Sequence, residues 1–289
     1  MLKKTVQILV ATLLGAGFFL VWAIMLLQWF NPPFTAFTLQ ADWGEHEQQF
    51  YSLRENWVPP DDIPEHMVWA VVASEDQLFF EHHGFDFESM EEAWEEHQEG
   101  VRTRGASTIS QQVAKNLFLT PAQSFLRKGI EAGITVLIEL FWTKERIIEV
   151  YLNIVEFGPG VYGIGKASDV YYNRPVTQLT PTMAARFAAV LPSPKRMRVN
   201  PPSPYTQERS QWILRQMNQL TGKVFYAFEN DTTTNQPENS QPDSTTADTS
   251  TTISHADSFD VNIAPDTLIR EFPDTTLSPS DTSDSTQTQ

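Results

Sequence analysis

Cysteine is absent from all 289 residues. That excludes disulfides, thiol nucleophiles, thiolate-held zinc and iron–sulfur clusters. It leaves the redox compartment unread, because an exported protein can also lack cysteine. Positive charge is scarce: 20 Lys plus Arg stand against 36 Asp plus Glu, a net charge of −16. The deficit is uneven. Residues 229–289 hold twelve acids and a single base, Arg270, for a net of −11, which leaves −5 for the other 228 residues. Neither portion has the basic surplus that a nonspecific nucleic-acid binder needs to neutralise phosphates, so nucleic acid is not an expected partner. Also missing are a repeat of solenoid length and any alternating apolar and polar run long enough for a sheet core.

Charge is missing altogether from Thr5 to Phe30. As a helix rising ~1.5 Å per residue this run reaches ~39 Å, enough to span a bilayer with some tilt. A cleaved signal peptide has an apolar stretch of only ~7–15 residues ending in small residues. Here the run closes on Gln28-Trp29-Phe30-Asn31-Pro32-Pro33. Trp29 and Phe30 suit an interfacial aromatic belt, and Lys3 and Lys4 keep the N-terminus inside. The expectation is a single-pass anchor over 1–31 in the cytoplasmic (inner) membrane, with the rest of the chain extracytoplasmic or periplasmic.

At the far end, residues 229–289 contain 23 Ser or Thr with scattered Pro and few large apolar side chains. Such a segment cannot bury enough surface to offset its chain entropy, so an acidic disordered tail is expected. A short island from Phe259 to Phe272 offers either a docking motif or a spacer. The middle, 32–228, reads as mainly α. Apolar residues recur at three- and four-residue spacing over Pro64–Ala73, Ser107–Phe118 and Leu126–Asn153. In the last, Ile130, Ile134, Leu137, Ile138 and Phe141 form a stripe that resumes after Thr143, an expected N-cap. Helices are also predicted over Pro181–Val190, capped by Thr180, and over Tyr205–Leu220. Short β pieces are expected near Val161–Ile164.

Three constellations can carry chemistry. In the first, an apolar helix runs into Glu75-Asp76, then Phe79, Phe80, His82, His83 and Gly84. A carboxylate at the end of a buried helix is where desolvation lifts a pKa toward a general base's working range. A solvated turn explains the same acids, and metal binding by His82 and His83 lacks a third ligand. The second runs from Arg104-Gly105-Ala106-Ser107 through Asn116, where Thr108, Gln112 and Lys115 fall on one helical face. A hydroxyl, an amide and an ammonium suit a sugar and phosphate surface; an ordinary capped amphipathic helix is the plainer alternative. The third is Arg127-Lys128-Gly129-Ile130-Glu131, either a surface ion pair or, with Lys115, a cationic pocket for pyrophosphate. Gly158-Pro159-Gly160-Val161-Tyr162-Gly163 matches a dinucleotide fingerprint in letters only. It follows a helical segment, and no acid lies ~20 residues on.

The three segments and their order resemble the peptidoglycan glycosyltransferase family, shared by monofunctional biosynthetic transglycosylases and class A penicillin-binding proteins. The family's motifs correspond here to Glu75–Gly84, Gly105–Asn116, Arg127–Glu131 and Lys144–Asn153 followed by Phe157-Gly158. The likeness covers about 64–201. It implies a single lysozyme-like helical glycosyltransferase domain of the monofunctional type behind the anchor, since no S-x-x-K element leads a second domain. By position it makes Glu75 the catalytic base, supported by Asp76, Phe79 and His82 on the substrate side. Thr108, Gln112 and Lys115 become substrate contacts. Arg127, Lys128 and a second catalytic carboxylate, Glu131, become the group that handles pyrophosphate.

The implied reaction polymerises lipid II into β-1,4-linked glycan, releasing undecaprenyl pyrophosphate with inversion. Lipid II, a lipid-linked glycan chain, the membrane and other cell-wall synthesis proteins are the implied partners. No cofactor is required by the residues, although some family members use a divalent cation, Mg or Mn. A lysozyme-like lytic enzyme is the alternative activity, and a catalytically idle scaffold is a second. Two departures from the family pattern stand out. Glu88–Glu99 carries six acids where the family is more apolar, and Ile148 stands in place of Leu. The apolar residues Phe34, Phe37, Trp43 and Phe50 either dip into the outer leaflet or pack normally.

Overall fold

The computed structural model describes residues 2–40, 52–98, 107–122 and 124–223. The chain divides into two units, Met1–Asp231 and Thr232–Gln289. All described residues belong to the first. The acidic tail, the Phe259–Phe272 island, Trp43, Phe50 and Arg104 to Ala106 lie outside the described residues.

The fold is mainly α, as the periodicity predicts. In chain order the helices are α1 (Leu2–Leu27), α2 (Ala36–Gln40), α3 (Ser52–Glu55), α4 (Glu65–Glu75), α5 (Phe87–Gln98), α6 (Ile109–Phe118), α7 (Phe125–Phe141) and α8 (Lys144–Ile154). A hairpin of β1 (Glu156–Gly158) and β2 (Val161–Tyr162) follows, then α9 (Ile164–Tyr172), α10 (Pro181–Val190) and α11 (Pro204–Thr221). The hairpin, antiparallel with Glu156 opposite Tyr162, is the only sheet among the described residues. The uncharged run forms one helix, α1, long and apolar enough over Lys3–Leu27 to cross a membrane.

Helix boundaries follow local chemistry. Thr143 accepts from the Arg146 amide and separates α7 from α8, so the long predicted stripe is two helices. Thr180 caps α10 with Pro181 in its first turn, and Ser203 with Pro204 does the same for α11, which ends on Gly222 at φ 63. Four helices were not expected: the short α2 and α3, and the longer α5 and α9. Helix α5 lies in the six-acid stretch, whose exposed Phe87, Met90 and Trp94 recur at helical spacing without facing a core. Helix α9 starts at Ile164, inside the segment read as strand. Gly163 turns the chain there at φ 80, and a Cβ on it would sit 2.6 Å from the Asn153 carbonyl oxygen. Ile130, assigned to the stripe, is exposed; Ile134 and Ile138 make the buried face instead.

The core gathers around two helices. Helix α4 packs against α10 and α11, burying Met67, Ala70, Val71, Val72 and Ala73. Helix α8 is buried from Ile147 to Ile154, and α6 packs against it and α7. Asn153 fixes the incoming chain, accepting from the Val58 amide at 2.8 Å and donating to its carbonyl at 2.9 Å. The end of α1 joins this core: Ile24 is fully buried, with Leu20 and Leu27 packed beside it. The carboxyl end of α4 and the amino ends of α6 and α7 carry the residues singled out from sequence.

Candidate active site

Glu75 is the last residue of α4. It is half-buried, and its Oε2 accepts from Gln112 Nε2 at 2.9 Å. Gln112 is in turn held by the Tyr151 hydroxyl, which donates to its Oε1 at 3.2 Å. Burial pushes the Glu75 carboxyl above the ordinary glutamate range; the Gln112 hydrogen bond, the Arg209 charge, Ser74 and Lys115 pull it partly back. The result is a carboxylate that binds a proton more readily than a surface glutamate while remaining partly exposed.

Asp76 does different work. Its side chain is 1 % exposed and both oxygens accept hydrogen bonds, Oδ1 from His82 Nε2 at 2.8 Å and Oδ2 from the Ile109 amide at 2.9 Å. The Gly84 amide donates to His82 Nδ1 at 3.0 Å, so that nitrogen carries no proton and Nε2 is the donor. Gly84 adopts φ 88, and a Cβ there would lie 2.8 Å from Thr135 Cγ2. Asp76 thereby ties the turn after Glu75 to the start of α6. Thr108 completes the tie. Its hydroxyl donates to the Gly84 carbonyl at 2.7 Å and accepts from the Gln111 amide, in a reciprocal capping box with the Gln111 side chain. Phe79 is fully buried, with the Lys144 ammonium 4.6 Å above its ring. Behind it Glu139 accepts from Lys144 at 2.8 Å and from Ser110.

Beyond Lys115 lies a group of cations. Glu131 is buried, and each of its oxygens accepts from one cation at 2.6 Å, Oε2 from Arg127 Nη1 and Oε1 from Lys128 Nζ. Ser124 caps the helix below by accepting from the Arg127 amide. Arg127 Nε is buried with no hydrogen-bond partner among the described residues. Burial pulls the Lys115 ammonium below the ordinary lysine range; Glu131 opposes this, Arg127 and Lys128 reinforce it, and Glu75 opposes it weakly. Lys115 is thus coupled to both the carboxylate at the end of α4 and the ionic cluster at the start of α7. A polyanion arriving there would satisfy charges that the fold leaves underpaired.

The structure therefore brings Glu75, Gln112 and Lys115 to one place on α4 and α6, with Arg127 and Lys128 electrostatically coupled to them. Asp76, His82 and Thr108 spend their side-chain polar atoms on the protein itself, Asp76 and His82 on each other and on backbone amides and Thr108 on the Gly84 carbonyl and the Gln111 amide, and Phe79 is a buried apolar ring. Glu131 is enclosed by its two cations. Sequence reading missed Tyr151, Arg209 and Phe37. Tyr151 reads as one more apolar stripe residue. Arg209 is far away in sequence. Phe37, whose ring lies 5.7 Å from Lys115 Nζ, belongs to the segment just after the anchor.

The chain is similar in sequence to known proteins. A family model described as Transglycosylase matches residues 44–218. A biosynthetic peptidoglycan transglycosylase of Aeromonas hydrophila subsp. hydrophila is 47% identical over 214 residues, covering 74% of this chain and 89% of that one. A protein of the same name from Yersinia pseudotuberculosis serotype O:1b is 52% identical over 176 residues, 61% of this chain and 73% of its own. One from Pectobacterium carotovorum subsp. carotovorum is 43% identical over 235 residues, 79% and 94% of the two chains.

Proposed function

Because the chain belongs to the transglycosylase family, and is a peptidoglycan glycosyltransferase by that membership, we propose that it polymerises lipid II with Glu75 as general base. The observation that carries this reading is the half-buried Glu75 carboxyl held by Gln112 and electrostatically coupled to Lys115. Glu75 takes the proton from the 4-hydroxyl of the acceptor sugar as that oxygen attacks the anomeric carbon of the lipid-linked donor. The bond from that carbon to the pyrophosphate breaks with inversion, giving a β-1,4 link and undecaprenyl pyrophosphate. The leaving group already has a low pKa, so it needs charge stabilisation more than a proton. Lys115, Arg127 and Lys128 supply that charge. Glu131 positions Arg127 and Lys128, and Asp76, His82 and Thr108 position the helix ends on which Glu75 and Gln112 stand.

The cation cluster favours synthesis over lysis, since cleaving a glycosidic bond in a glycan releases no pyrophosphate. Among the described residues a resident divalent metal has no donor set. Among the described residues no group of three or more His, Asp or Glu could hold one, and Glu131 already spends both oxygens on cations. No step is routed through a metal. In this reading α1 holds the enzyme on the cytoplasmic membrane with the catalytic domain outside, where both lipid-linked substrates reside. The exposed Phe125, Leu126, Val136 and Leu140 of α7 suit a surface that works against lipid.

The test is glycan polymer formation from labelled lipid II by the detergent-solubilised full chain. Wild type yields polymer and Glu75→Gln loses ~10²–10⁴-fold in rate while still binding substrate. Soluble fragments released from intact peptidoglycan, with no polymer from lipid II, would overturn the reading in favour of a lytic enzyme.

A further inference from the structure

The carboxyl end of α1 is unusual for a membrane anchor. The last carbonyls of a helix have no partner within it, and at the edge of a bilayer they normally turn to water and lipid headgroups. Here side chains of the catalytic domain take them. Arg146 donates from Nε and Nη2 to the Leu27 carbonyl at 3.2 and 2.9 Å, from Nη2 to the Phe30 carbonyl at 3.0 Å, and from Nη1 to Asn31 Oδ1 at 3.0 Å. One turn earlier, Trp142 Nε1 donates to the Ile24 carbonyl at 2.8 Å.

Arg146 is itself fixed from the domain side. Its Nη1 also binds Glu149 Oε2 at 2.8 Å, and Glu149 Oε1 accepts from Trp57 Nε1 at 2.9 Å. Its guanidinium carbon lies 5.6 Å from the Trp57 ring centre and 5.9 Å from that of Trp142. A planar cation sandwiched by aromatics, with donors in several directions, is something only arginine supplies. Its charge also complements the negative end of the helix dipole. Ile24, buried in the core beneath these bonds, adds an apolar contact.

We propose that Arg146 is a positioning residue that locks the anchor helix to the catalytic domain in one orientation, so that the two turn as a single body and the site of Glu75, Gln112 and Lys115 is presented to lipid-linked substrate at a fixed height and tilt. This rests on the anchoring and transglycosylase reading above. A flexible tether would hold the domain near the bilayer but leave it free to rotate; a docked helix removes that freedom, and with it the orientations in which Glu75 faces away. Helix α7 packs against α1 and carries Arg127 and Lys128 in its first turn, so the lock also fixes where the cation cluster sits relative to the anchor.

The absence of cysteine makes the test clean. Spin labels on Leu14→Cys in α1 and Asp169→Cys in α9 are the only thiol adducts in the full-length chain, reconstituted in lipid nanodiscs. The wild type gives one narrow distance distribution by pulsed dipolar spectroscopy. Arg146→Ala broadens it at least twofold. Arg146→Lys, a point charge that cannot reach all the acceptors, falls between. Trp142→Phe, which keeps an aromatic six-membered ring but loses the N–H donor to Ile24 and part of the ring area, broadens it too and serves if Arg146→Ala folds poorly. Polymer formation by Arg146→Ala falls about tenfold in bilayers and stays within twofold of wild type in detergent micelles, where orientation is not imposed. A narrow distribution in all variants, or an equal loss of activity in both media, would overturn the inference. Failure of the wild type to enter the nanodisc would instead sink the anchoring reading, and absence of polymer with normal distances would sink the transglycosylase reading.

Discussion

Asp76→Asn is the most discriminating substitution, because it changes almost no volume and only one atom's hydrogen-bonding sense. The Gly84 amide donates to His82 Nδ1, which makes His82 Nε2 a donor to Asp76 Oδ1, while the Ile109 amide donates to Oδ2. Both positions on residue 76 must accept. Asparagine has one acceptor, so whichever way its amide turns, its NH₂ meets another N–H. Changing the imidazole tautomer does not help, because Nδ1–H would then face the Gly84 amide. A hydrogen bond to a charged group contributes about 1.5–3 kcal/mol, and an unsatisfied buried donor costs about 1–3 kcal/mol. With the side chain 1 % exposed, little is recovered from solvent. The expected loss is about 3 kcal/mol, which for a domain of this size lowers the Tm by roughly 6–12 °C. Thermal unfolding in detergent measures it. Activity should fall by roughly 10–100-fold at a temperature where the variant is folded, because the end of α4 and the start of α6 no longer share a strut and Glu75 and Gln112 drift apart. A Tm within 2 °C of wild type would refute the donor chain.

Four further outcomes follow from the same geometry. Gln112→Leu removes the bond that holds the Glu75 carboxyl down, so the acid limb of the pH–rate profile should move to higher pH; an unmoved limb would disconnect Gln112 from the base. Glu75→Gln should raise the Tm at neutral pH. The folded-state pKa of Glu75 lies above its unfolded value, so ionisation works against folding above the unfolded pKa and that penalty disappears in acid. The gain should therefore vanish at low pH, and a gain that persists in acid would argue against a raised pKa. Gly84→Ala should cost about 1–2 kcal/mol for its positive φ, plus strain against Thr135, read in the same melts. Lys115→Ala and Arg127→Ala should each weaken polymerisation in the labelled lipid II assay, and unchanged kinetics in both would remove the pyrophosphate assignment.

Most of the helical plan could be read from the chain because its signals are local. Thr143, Thr180 and Ser203 mark helix starts through their own hydroxyls, and the buried faces of α4 and α10 follow from spacing. What escaped were helices whose apolar side has no core to meet, such as α5, and α9, where a strand-like Val161-Tyr162 runs directly into a glycine-led helix. The carboxylates and cations of the site were legible as types in order. Their division of labour was not. Ser107 or Thr108 reads as a helix cap, and Thr108 also shares a predicted face with Gln112; the structure makes Thr108 the cap, tied to the Gly84 carbonyl 24 residues upstream, and leaves Gln112 to grip Glu75, a pairing across 37 residues that no local signal announces. Arg146 looked like one more charge in an amphipathic helix, since its partners lie about 115 residues earlier in the chain.

Helix α10 bears on how such a chain can change over time. Ala184, Ala185, Ala188 and Ala189 are all fully buried, and the Ala188 carbonyl accepts from Ser74 Oγ at 3.3 Å, one residue before Glu75. Only methyl groups fill these positions on the helix that α4 packs against. A larger residue there has to displace what α10 packs against, α4 and α11 among its neighbours, at a typical cost of about 1–3 kcal/mol for overpacking, and α4 ends on the base. These four sites act as a spacer of set thickness, closed to gradual enlargement. Mutational libraries aimed at altered substrates should therefore find their tolerated steps in the exposed first turn of α7, where Phe125 and Leu126 touch little protein, while α10 stays silent.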